Sequence, residues 1–76
     1  MPHVIVKLYA GRTEAQKAKL AEEVTKAVMT GAGSAEDSIS VSIEDVAPGD
    51  WTEKVYVPDI IEKWDALYKK PGYDPR

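Results

Sequence analysis

The sequence has no cysteine, which excludes disulfides and removes the thiolate ligands on which most structural zinc sites depend. Its one histidine, His3, cannot build a zinc site with the usual ligands, and no loop of EF-hand type is present. No segment has the length of a transmembrane span, and the first residues lack the basic-then-apolar order of a signal peptide. A cytoplasmic location is the default expectation. Thirteen acidic residues against ten basic ones give a net charge of -3. The basic residues are dispersed, so no nucleic-acid footprint and no anionic-membrane patch is expected. At 76 residues the chain reads as a single domain, 1–76, whose interior is too small for generous stability unless metal, disulfides or self-association add to it. Of these, association with further copies remains.

What is present is strongly patterned. Residues 3 to 9, HVIVKLY, put Val4, Val6 and Leu8 on one face and His3, Ile5, Lys7 and Tyr9 on the other, the period of a strand. After Ala10-Gly11-Arg12, Thr13 precedes Gln16 by three residues, the spacing of a reciprocal helix cap. Leu20, Ala21, Val24, Ala27 and Val28 then recur at helical spacing within residues 14 to 30, with Lys17, Lys19, Glu22, Glu23 and Lys26 on the wet side. Gly31-Ala32-Gly33 is expected to end that helix through a left-handed residue. Residues 38 to 46, SISVSIEDV, alternate again.

Strand, helix and strand at this spacing form a βαβ unit with parallel strands and a right-handed crossover. Two strands under one helix make a poor independent fold, so a symmetric dimer sharing a four-stranded sheet is expected. In the last third, Ile60, Ile61, Trp64, Leu67 and Tyr68 share a helical face, and Pro58 is expected to split the stretch, with a longer helix beginning near Pro58 or Asp59. The residues after Pro71-Gly72 read as a mobile tail. The fold class is therefore α+β, a βαβ unit followed by a C-terminal helix.

The chemistry centres on Pro2. Removal of Met1 leaves a secondary amine at the mouth of the first strand, and partial burial or a nearby cation such as Arg12 would favour its neutral form. A neutral amine can take a proton from an enol hydroxyl or acidic carbon and return it elsewhere, which is keto–enol tautomerisation. With Met1 attached, the same nitrogen is an amide without basicity, so the reading applies to the processed chain. The dipeptide alone is a weak signal, since many chains begin Met-Pro for no catalytic reason.

Taken together, Met1-Pro2, the strand, AGRTEAQKAKLAEEVTKAV and SISVSIEDVAPGDW resemble the tautomerase superfamily, specifically the small 4-oxalocrotonate tautomerase group, over residues 1 to about 51. The ending ALYKKPGY resembles the dimeric PptA-type branch, which ketonises phenylenolpyruvate. The resemblance implies an amino-terminal proline acting as general base and acid, no metal, no organic cofactor, and a small 2-keto or enol acid as substrate. It further implies that Arg12, in GRTEAQK, holds a substrate carboxylate and that Trp51, in PGDW, walls the pocket. Arg12 also suits a solvated arginine beside a helix start, and Trp51 a core tryptophan.

The position of the group's second arginine is occupied by Ser40, which offers a hydrogen bond and no charge. A monocarboxylate with an apolar or aromatic tail is therefore expected in preference to a dicarboxylate. His3 and Tyr9 fit structural roles, although either could reach the pocket. Two alternatives stay open: hydration or dehalogenation of an unsaturated acid by the same base, and a non-catalytic dimeric interaction module.

Overall fold

Alternation decides the first element. In the computed structural model, which describes all 76 residues, His3–Tyr9 forms strand β1, with His3, Ile5, Lys7 and Tyr9 exposed and Val4, Val6 and Leu8 half-buried. Gly11, at φ 128°, turns the chain out of the strand through a conformation that favours glycine. Thr13 then caps helix α1, Glu14–Ala32: its hydroxyl accepts from the Gln16 N–H at 3.1 Å, and the Gln16 side chain accepts from the Thr13 N–H at 2.9 Å. The helix runs through Gly31, and Gly33, at φ 67°, makes the left-handed turn that ends it.

Strand β2 spans Ser40–Val46, starting later than the alternation suggests. Glu36–Ser38 forms a 3₁₀ turn instead, in which both the N–H and the hydroxyl of Ser38 donate to the Ala35 carbonyl. A serine that finds a local acceptor draws the backbone away from the ladder. The strands pair in parallel from His3 opposite Ser40 to Tyr9 opposite Val46, in a sheet of two strands. Lys17, expected on the wet side of α1, is half-buried and bonds Glu14 at 2.8 Å and Asp45 at 2.9 Å. Hydrogen bonds that it donates to Glu14 and then to Asp45 hold its ammonium above the ordinary lysine range. The triad fastens the start of α1 to the end of β2.

The last third departs from expectation. Pro58 does not split it: Thr52–Ile61 is one π-helix with Pro58 inside, followed only by a 3₁₀ turn at Trp64–Ala66. Proline is excluded from an α-helix interior because its ring meets the carbonyl four residues back, and the wider π turn relieves that clash. Trp64 and Tyr68, expected on the apolar face of a helix, are exposed, Tyr68 fully so. The terminal residues are not a loose tail either, because Tyr73 packs against Tyr56 with ring centroids 5.6 Å apart and Arg76 lies over the Tyr56 ring. The π-helix meets the sheet face opposite α1 through Lys7 and Asp59, paired at 2.6 Å.

Only Val55 and Tyr56 are buried in the isolated chain. Its accessible surface is 5534 Å², against roughly 4,600 Å² for a folded monomer of this mass. The excess, on the order of 900 Å², is close to what one partner contributes to an interface of standard size. No helix is long and apolar enough to cross a membrane.

Candidate active site

Pro2 stands half-buried at the entry to β1, where its carbonyl accepts the Ser40 backbone N–H at 3.2 Å. This extends the parallel ladder one rung beyond β1 and fixes the pyrrolidine ring at the sheet's end. Met1 is fully exposed, so its removal disturbs no packed contact. Next to Pro2, His3 Nδ1 and Ser40 Oγ share a hydrogen bond of 2.6 Å across the strand pair. Ser40 is thus tied to Pro2 through its backbone and to His3 through its side chain.

The other residues singled out from sequence gather at the opposite end of β1. Arg12 Nη1 donates to the Tyr9 carbonyl at 3.2 Å, and the guanidinium makes no ion pair within the chain. Its remaining N–H groups are directed to no protein acceptor. Trp51 stands at the head of the π-helix, its ring edge-on to Tyr9 at 5.2 Å between centroids and 77° between planes. Trp51 Nε1 donates to Tyr73 Oη at 2.9 Å.

Two clusters result, Pro2 with His3 and Ser40, and Arg12 with Tyr9 and Trp51. The length of β1, at about 3.3 Å per residue, sets them roughly 20 Å apart in one chain. The expectation that Arg12 tunes the Pro2 amine therefore fails within a single chain, because the guanidinium is beyond effective reach in water. Sequence reasoning missed Tyr73 altogether. Its partner Trp51 lies 22 positions away, and no local pattern connects them.

No cluster of three or more histidine, aspartate or glutamate side chains converges as a metal site. What the first cluster can offer, after loss of Met1, is an amine beside a hydroxyl. The second offers a planar cation and an aromatic wall. Together they match the needs of a small acid that must exchange a proton, but only if a second copy brings them together.

Comparison with known proteins bears on this arrangement. Residues 2–56 match the family described as tautomerase enzyme. A probable tautomerase from Xylella fastidiosa is 41% identical over 73 residues, covering 96% of this chain and 89% of that protein. Tautomerase PptA from Cronobacter sakazakii is 36% identical over 75 residues, 97% of this chain and 99% of that one, so the likeness continues through the C-terminal third. Among solved structures, a 4-oxalocrotonate tautomerase isozyme from Methylibium petroleiphilum is similar with a TM-score of 0.64 and 38% identity, over 66% of this chain and 81% of that chain.

Proposed function

The chain belongs to the tautomerase family and is an isomerase, and from that premise we propose that its processed form ketonises a monocarboxylic enol such as phenylenolpyruvate, using Pro2 as general base and acid. The Pro2 nitrogen removes the enol hydroxyl proton and delivers a proton to the adjacent carbon. The double bond moves from carbon–carbon to carbon–oxygen, no atom is gained or lost, and no organic cofactor is required. Arg12 pairs with the substrate carboxylate, and Trp51 lines the space for the aromatic tail.

The observation that carries this reading is the placement of Pro2. It is held by Ser40 at the open end of the sheet, behind a single exposed residue whose removal converts its amide nitrogen into an amine. The reading also requires two copies. Both edges of the two-stranded sheet are open. Antiparallel pairing of β1 with β1 of a second copy, centred on Val6, sets Pro2 opposite Ala10 of that copy, and so near its Arg12 and Trp51. Such a homodimer would cover the open β1 edge of each copy, and the excess surface of the isolated chain supports it.

Replacing the base tests the mechanism. Pro2→Ala retains an amino-terminal amine after processing, so its ketonisation of phenylenolpyruvate should fall by about tenfold to a thousandfold rather than vanish, as for a misplaced general base. Turnover equal to that of the parent chain would remove Pro2 from the mechanism.

A further inference from the structure

We propose that Tyr73 is a positioning residue that fixes the orientation of Trp51, so that the indole presents one defined wall to the tail of the substrate; this role rests on the tautomerase reading above. The direction of the bond is set by chemistry. An indole nitrogen donates and cannot accept, so the Trp51 Nε1–H donates and the Tyr73 phenol oxygen accepts, at 2.9 Å.

Tyr73 is itself held by the rest of the tail. The Tyr56 hydroxyl donates to the Tyr73 carbonyl at 3.4 Å, and the two rings lie 5.6 Å apart. Arg76 stands 5.3 Å over the Tyr56 ring and is folded back on Asp74 by hydrogen bonds of 2.9 and 3.2 Å. Tyr56 is 2% exposed, which makes it an anchor for a segment that otherwise lies on the surface. The C-terminal tail is thus a strap running from a buried tyrosine to the edge of the indole.

On its other side Trp51 meets Tyr9 edge-on. Ring packing alone leaves an indole free to turn about its χ2 torsion, whose wells are broad. The hydrogen bond to Tyr73 selects one orientation. A fixed aromatic wall binds ground state and transition state alike, so its loss raises KM and leaves kcat nearly unchanged.

Tyr73→Phe keeps the ring and removes the acceptor. For phenylenolpyruvate it should raise KM by about fivefold with kcat within about twofold, the effect of one lost hydrogen bond. In a Trp51→Phe background, which has no indole N–H, the same change should add nothing. A substrate-free readout accompanies the kinetics: the Trp51 indole N–H resonance, identified by its absence from Trp51→Phe, should exchange slowly with solvent in the parent chain and faster in Tyr73→Phe. An unchanged KM, or effects of the two substitutions that simply add, would overturn the proposal. A slow indole exchange that depends on Tyr73 in a chain that ketonises nothing would leave the hydrogen bond standing but overturn the substrate reading, and this role with it.

Discussion

A serine hydroxyl engaged by an imidazole can donate at most one hydrogen bond to a substrate and carries no charge, and the proposed preference for a monocarboxylate rests on this residue-scale property of Ser40. A second carboxylate placed at that end of the site would lose its water and meet no cation, whereas an apolar or aromatic tail makes no such demand. Phenylenolpyruvate should therefore exceed the dicarboxylate 2-hydroxymuconate in kcat/KM by at least about tenfold, and Ser40→Arg should narrow or reverse that ratio by supplying a charge-assisted partner. Comparable kcat/KM values for the two acids with the parent chain would show that Ser40 does not discriminate. Pro2, Arg12, Ser40 and Trp51 were all visible in the sequence as residue types at family positions. The length of β1 already set Pro2 and Arg12 apart, but which cluster Ser40 and Trp51 join was not legible, because it depends on the register of β2 against β1 and on a ring contact between Tyr9 and Trp51.

The βαβ unit was legible because its signals are local. The Thr13 cap, the alternation of β1 and the left-handed Gly33 each depend on residues a few positions away, and each forms as read. Thr13→Ala removes one side of the reciprocal cap and should lower unfolding stability by about 1 kcal/mol, measured by denaturant titration at fixed protein concentration. Stability equal to that of the parent chain would mean that the cap is redundant with the Lys17 triad beside it. The C-terminal third resisted reading for the opposite reason. Pro58 is a strong breaker of α-helix, yet a π-helix admits it. Trp64 and Tyr68 keep helical spacing without a helix to bury them, and Tyr73 is ordered by Trp51 and Tyr56, which precede it by 22 and 17 positions.

At the scale of the whole molecule, an isolated chain with two buried residues and two open sheet edges is an incomplete fold. The same incompleteness appears in the site, whose amine and whose cation lie at opposite ends of one strand. The antiparallel association proposed above would answer both at once, since it would cover an edge and bring Arg12 and Trp51 of one copy to Pro2 of the other. The proposal is thus a proline base working in a site that two copies share. Complementation decides it: Pro2→Ala and Arg12→Ala chains, each confirmed by mass to lack Met1, are denatured together in equal amounts, refolded, and assayed for ketonisation of phenylenolpyruvate. Half of the dimers should then be mixed, each with one intact site out of two, so the mixture should regain about a quarter of the parent activity above the residual rates of the two variants. A mixture no more active than the average of its two components would contradict the shared site.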